Sequence, residues 1–158
     1  MKRILLILTF FVALSAQAQT SVYNPKANAK SDVAAAVKRA KQEGKHVLIQ
    51  VGGNWCPWCI KLHAFFDENE AVNKTLHDSY IFVLVNYSKE NKNKELLAQL
   101  GYPQRFGFPV LLVLDADGNR IHTQNSAYLE KDGGYSEKTI NTFLKQWSPD
   151  ALDPINYQ

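Results

Sequence analysis

Cysteine is scarce in this 158-residue chain: it holds two, and both fall inside Trp55-Cys56-Pro57-Trp58-Cys59. A chain that uses disulfides for stability links distant segments, because closing a longer loop restrains the unfolded state more. A bridge between residues three apart staples almost nothing. An excess of one charge is lacking too, with 18 basic and 15 acidic side chains. Residues 1–18 hold Lys2 and Arg3 and no acid, so the remainder carries 16 basic against 15 acidic groups, a formal +1. Such a balance argues against nucleic acid or an anionic membrane as the main partner. Apolar runs after residue 14 are all short, and the run Ile4 to Leu14 falls below the roughly 20 residues that span a bilayer. No cysteine follows that run, so a lipid anchor is not indicated. There is no internal repeat, and the length suits one core.

What is present begins with an address. Met1-Lys2-Arg3, the apolar run and Ala16-Gln17-Ala18 have the charged, hydrophobic and small-x-small parts of an export signal, with a cut expected after Ala18. The expected organisation is a signal peptide over 1–18, a loose polar N-terminal arm over 19–30, one domain over 31–148 and a tail over 149–158. The expected location is periplasmic or secreted.

Hydrophobic periodicity predicts the elements. Ser31 or Asp32 is expected to cap a helix carrying Val33, Ala36, Val37 and Ala40 on one face, ended by Gly44. Val47 to Val51 reads as a strand covered on both faces. Helices are expected from Pro57 to Phe66, over Glu70–His77 and over Asn91–Leu100, with a strand from Tyr80 to Tyr87. Val110 to Leu114 and Arg120 to Asn125 read as a hairpin around Ala116-Asp117-Gly118-Asn119. Ser136 caps a last helix stopped by Pro149. The first two strands flank a crossover and are therefore parallel. The class is α/β: a mixed four-stranded sheet with helices on both faces.

A Cys-x-x-Cys pair serves as a redox couple, half of a zinc site or a haem attachment point. Haem attachment requires His after the second Cys, and Ile60 stands there. A structural zinc site needs four ligands, yet there is no second pair and the four histidines are scattered at 46, 63, 77 and 122. The context favours redox use. The motif sits where a buried strand turns into a helix, and free N–H groups at a helix start stabilise a thiolate at Cys56. Pro57 suits the first helical position. Cys59, one turn on, is placed to attack a mixed disulfide made by Cys56.

Val-Gly-Gly-Asn-Trp-Cys-Pro-Trp-Cys at 51–59, Phe-Gly-Phe-Pro-Val at 106–110 and the Leu-Asp-Ala-Asp-Gly-Asn hairpin at 114–119 resemble the thioredoxin superfamily over roughly residues 31–147. More narrowly, the chain is similar to small exported bacterial thioredoxin-like proteins related to the C-terminal domain of the membrane disulfide-interchange reductase. The resemblance implies the thioredoxin fold without its first edge strand. It makes Pro109 a cis proline facing the cysteines, with the backbone of Phe108 pairing to substrate. Trp55, Trp58, Phe108 and Pro109 are then the substrate-binding rim.

Two departures mark this chain. Where thioredoxins carry a buried Asp six residues before the nucleophilic Cys, Gln50 stands and cannot ionise. His63, four residues after Cys59, lies on the same helical face and is either the candidate to take over the lost acid–base function or a core histidine satisfied by Gln50 or a backbone carbonyl. The expected activity is thiol–disulfide exchange with exported proteins. Reductase or interchange is favoured over dedicated oxidant, because the stretch between Tyr87 and Pro109 is too short for an inserted helical domain and the arm of 19–30 is too short for a dimerisation domain. No cofactor and no metal are called for. The expected partners are protein or peptide disulfides and a membrane-bound redox protein, with the chain itself a monomer. The rival reading is a thioredoxin-fold metal chaperone or binding protein with Cys56, Cys59 and His63 as soft ligands.

Overall fold

Strand β1, His46–Gly52, is buried at all seven positions, which is why its sequence runs apolar instead of alternating. Its side chains still alternate in direction. Val47, Ile49 and Val51 enter one core, where α1 (Ala29–Glu43) contributes Val33, Ala36 and Ala40. Leu48 enters a second core, filled by Leu62 and Phe66 of α2 (Pro57–Glu68) and by Val72 and Leu76 of α3 (Glu70–Ser79). The computed structural model describes residues 21–158. The expected export signal and its cut after Ala18 lie outside the described residues.

The remaining elements complete a sandwich of helices around one sheet. They are β2 (Tyr80–Asn86), α4 (Lys94–Gln99), β3 (Val110–Leu114), β4 (Arg120–Asn125), a small hairpin β5 (Glu130–Lys131) and β6 (Gly134–Tyr135), α5 (Glu137–Gln146) and α6 (Pro149–Leu152). The four-stranded sheet has the order β2-β1-β3-β4. β1 and β2 are parallel, with Gln50 opposite Leu84, and both β1–β3 and β3–β4 are antiparallel. Leu96 and Leu97 of α4 join the α1 side, while Ile140, Phe143 and Leu144 of α5 join the α2 side. This is the thioredoxin fold, and among the described residues no strand precedes β1.

Several boundaries differ from the sequence expectation. α1 starts earlier because Asn28 is its cap, its side chain accepting from Ser31 N at 3.1 Å. α4 starts later, at Lys94. Asn86 donates to Asn91 O at 2.9 Å and Asn93 to Asn86 O at 2.7 Å, so asparagine side chains hold this stretch as a loop. Pro149 does not simply end α5; it opens α6 behind the Ser148 cap, so the expected tail carries structure of its own. The β5–β6 hairpin, with two-residue strands, is too short to leave a periodic trace.

The larger correction concerns the arm. It is not loose where it is described: Tyr23 is 0% exposed. Asn54, next to the cysteine motif, clamps it in both directions, accepting from Tyr23 N at 2.9 Å and donating to Tyr23 O at 2.7 Å. Asn91 adds a bond to Pro25 O at 3.1 Å. Polar residues that look like loop in sequence here supply the bonds that fasten the arm to the site.

Candidate active site

β1 delivers the chain to the cysteines. Cys56 is the N-cap of α2, with Pro57 at the first helical position, and its Sγ accepts from Cys59 N at 3.1 Å. The sulfur thus occupies the place of a capping side-chain oxygen. The first turn of α2 carries no acidic residue, so nothing offsets the positive end of the helix dipole. Cys56 and Cys59 are joined as a disulfide with Cα atoms 5.2 Å apart. Cys56 is 4% exposed and Cys59 0%, so the pair presents only an edge of its first sulfur to solvent.

Aromatic side chains border that edge. Trp55 is 55% exposed, and its Nε1 donates to Tyr87 O at 2.6 Å. The Trp55 ring meets Phe108 edge-on at 5.4 Å, and Phe108 leans on Tyr87 at 4.7 Å. The Phe108–Pro109 peptide is cis, with Pro109 buried. Trp58 packs against the cysteine cluster as well, and lies edge-on to Tyr135 at 5.5 Å with Lys61 Nζ 4.5 Å above its ring. Of the four expected rim residues, Trp58 and Phe108 both pack against the cysteine cluster, and Trp55 meets Phe108 edge-on. A cleft of about 540 Å³ opens beside Trp55, lined by Pro25, Asn54, Tyr87 and Ser88 among others.

The inner side of the disulfide is different. Gln50, 0% exposed, donates through Nε2 to Tyr23 Oη at 2.5 Å and to Cys59 O at 2.9 Å, while its Oε1 is buried without a partner. Burial drives the Tyr23 phenol well above the usual tyrosine range, and the bond from Gln50 offsets this only in part. Gly52 makes room for the assembly. A methyl group there would come within 2.5 Å of Cys59 Sγ and 2.7 Å of Tyr23 Oη. His63 stacks on Phe82 at 6.1 Å and places Nε2 3.4 Å from Asp67 Oδ2, with Nδ1 buried and unpartnered. Among the described residues no hydrogen bond joins His63 to either cysteine, and no group of three His, Cys, Asp or Glu side chains converges in the manner of metal ligands. Sequence reasoning missed Tyr23 and Asn54. The only signal for them was an aromatic residue inside a polar arm and an Asn beside the motif.

Helices on both faces of this sheet, with a Cys-x-x-Cys disulfide capping the helix after its first strand, define a thioredoxin-type protein. The sequence model of the thioredoxin-like family matches residues 28–116, and the chain belongs to that family. It is 30% identical over 97 residues to the disulfide bond reductase DsbH of Chlamydia pneumoniae, a match covering 56% of this chain and 57% of that protein. The chain thus spans little more than half the length of this relative. A disulphide isomerase from Xylella fastidiosa Temecula1 superposes with a TM-score of 0.70 at 25% identity, over 79% of this chain and 95% of the other. The oxidised C-terminal domain of DsbD from Neisseria meningitidis shares the fold, with a TM-score of 0.56 at 19% identity over 77% of this chain and 97% of the domain. Among the described residues no helix is long and apolar enough to cross a membrane.

Proposed function

We propose that this protein is an exported thiol–disulfide oxidoreductase that reduces or interchanges disulfides in other exported proteins. The observation that carries the reading is Cys56 as the N-cap of α2, disulfide-bonded to Cys59 one turn inside. At that cap the free N–H groups and helix dipole favour a thiolate, so Cys56 is the nucleophile. Cys59, fully buried, is the resolving thiol. In the reducing direction the Cys56 thiolate attacks a substrate disulfide and releases one substrate sulfur. Cys59 then attacks the mixed disulfide, releases the second, and leaves the protein oxidised.

Trp55, Phe108 and Pro109 offer an aromatic border for an extended polypeptide, and the cleft beside Trp55 continues that surface. Trp58, though it packs on Tyr135, belongs to the same proposed border through its contact with the cysteine cluster. The oxidised protein is recharged by a membrane-bound redox partner. The leader over 1–18, cut after Ala18, brings the chain to the periplasm or beyond, where it acts as a monomer. Gln50 and His63 set the acid–base properties of the pair, Gln50 by its bonds and His63 through its buried Nδ1. The relatives' names, a reductase and an isomerase, agree with net reduction or interchange more than with dedicated oxidation.

The test is trapping. Reduced protein should reduce insulin disulfides, and Cys56→Ser should abolish this. Cys59→Ser should accumulate mixed disulfides with substrate, while Cys56→Ser should not. Equal trapping by both variants overturns the assignment. Copper(I) bound tightly through both thiols, with no insulin reduction, turns the reading to metal carriage.

A further inference from the structure

Reduction of the pair creates a problem that the helix dipole solves only for Cys56. Cys59 is 0% exposed and packs with Tyr23 and Cys56, and a sulfur in such surroundings resists ionisation. To attack the mixed disulfide it must nevertheless take on thiolate character. The residue that commonly answers this need in the family, a buried Asp, is Gln50 here, whose Nε2 protons are both committed, to Tyr23 Oη and Cys59 O.

One buried donor remains. Tyr23 Oη accepts from Gln50, and among the described residues its own proton has no acceptor. Its oxygen and Cys59 Sγ border the same small space, the one a side chain at Gly52 would fill. Asn54 holds the Tyr23 backbone through both its N–H and its carbonyl, and the bond from Gln50 places the hydroxyl. The titratable groups around the sulfur are Cys56 and His63 on its own helix and Tyr23 from the arm. Tyr135 of β6 acts weakly on Tyr23, and Asp67 faces His63.

We propose that in the reduced protein the Tyr23 hydroxyl donates a hydrogen bond to Cys59 Sγ and stabilises it as a thiolate during resolution, a role that rests on the exchange chemistry proposed above. Tyr23 gives a hydrogen bond and keeps its proton, in line with a phenol that burial makes hard to ionise. As the Cys59–Cys56 bond forms, the bond between Cys56 and substrate breaks. The pair of electrons leaves on the substrate sulfur, and the proton lost by Cys59 ends there. The arm is thereby part of the redox site.

The test uses Tyr23→Phe, which keeps the ring and removes the donor. In reduced protein labelled with 13C at cysteine Cβ, the Cys59 titration should move up by about one pH unit, and resolution of a peptide mixed disulfide near neutral pH should slow about tenfold. That is the order expected for one hydrogen bond to a charged acceptor. Alkylation of Cys56 should keep its parent rate. An unmoved Cys59 titration and a parent-like resolution rate in a protein that still exchanges disulfides overturn the role of Tyr23. If the unaltered protein exchanges no disulfide, the enzymatic reading fails, whereas the Cys59 titration still reports on the hydrogen bond. Should Tyr23→Phe not fold, the Tyr23 hydroxyl proton of the unaltered reduced protein is followed by NMR. Its shift should track the Cys59 titration, and a shift indifferent to it overturns the proposal.

Discussion

The two sulfurs of this disulfide share a helix turn and little else. Around Cys56 lie a helix N-terminus and a half-open aromatic border, all within two short stretches of sequence, 55–58 and 108–109. Around Cys59 lies a sealed polar cluster, in which a side chain from the arm meets Gln50 of β1 over the gap at Gly52. On the proposed function the outer side receives the substrate disulfide, and it is built from partly exposed rings. The inner side meets only one atom, so it is built from fixed donors. Attack and resolution are thereby separable, and substitutions on the two sides should fail in different ways.

The largest expected difference is in stability. Tyr23→Ala removes a fully buried aromatic side chain and should cost about 3–5 kcal/mol, with the arm released from Asn54. Trp55→Ala, at a ring 55% exposed, should change stability by less than about 1 kcal/mol. Urea unfolding of the two variants side by side decides this. Equal losses would mean that the arm is a surface attachment. Gly52→Ala comes next. Its methyl group would press on Cys59 Sγ, Cys59 Cβ and Tyr23 Oη, and overpacking of this kind costs about 1–3 kcal/mol. Because the obstruction is on the inner side, Cys56 alkylation should hardly change. A parent-like melting curve would show that the space is not tight. On the outer side, Trp55→Ala should raise KM for a peptide disulfide by about threefold to tenfold, from the ~0.5–1.5 kcal/mol of an aromatic contact. Its resolution rate should stay at the parent value, and a change there instead would erase the division between the two sides.

The two sides also differ in how far the sequence reveals them. The outer side is contiguous: Trp55-Cys56-Pro57-Trp58-Cys59 states strand end, cap and first helical turn in order, and the apolar runs of β1 and β3 place it over a sheet. The inner side is assembled around Cys59 from positions 23, 50 and 52, and of these three only Gln50 announced itself, by standing where an acid was expected. Tyr23 sits among polar residues and Pro25, with no period to reveal which way it faces. The asparagines that fasten the arm, Asn54 and Asn91, have the composition of ordinary turns. The same chemistry hid the late start of α4. Local pattern reports which face is buried, but not which distant side chain meets it there.

The smallest effect concerns His63, which faces neither the border nor the Tyr23 cluster through any hydrogen bond. Its pair with Asp67 is partly exposed, with the carboxylate side chain 59% open, so loss of the pair should cost under about 1 kcal/mol. The geometry still bears on its part. A carboxylate 3.4 Å from Nε2 favours the ring proton on that nitrogen. Nδ1 is then left with a lone pair, buried and without a partner, and a group in that state needs an explanation. One explanation is a proton acceptor one helical turn along from Cys59, on the helix face that carries the sulfur. His63→Gln should then slow resolution by about threefold and flatten the acid limb of its pH–rate profile, consistent with one general base among several contributions. Asp67→Asn is the control, since it weakens the preference for the Nε2 proton while leaving the ring in place. Combining His63→Gln with Tyr23→Phe sharpens the answer. Two groups acting on one sulfur should give a coupled loss, smaller or larger than the product of the separate effects. A product of independent factors, with an unchanged pH–rate profile for His63→Gln alone, reduces His63 to a packing partner of Phe82 and leaves the inner side to Tyr23 and Gln50.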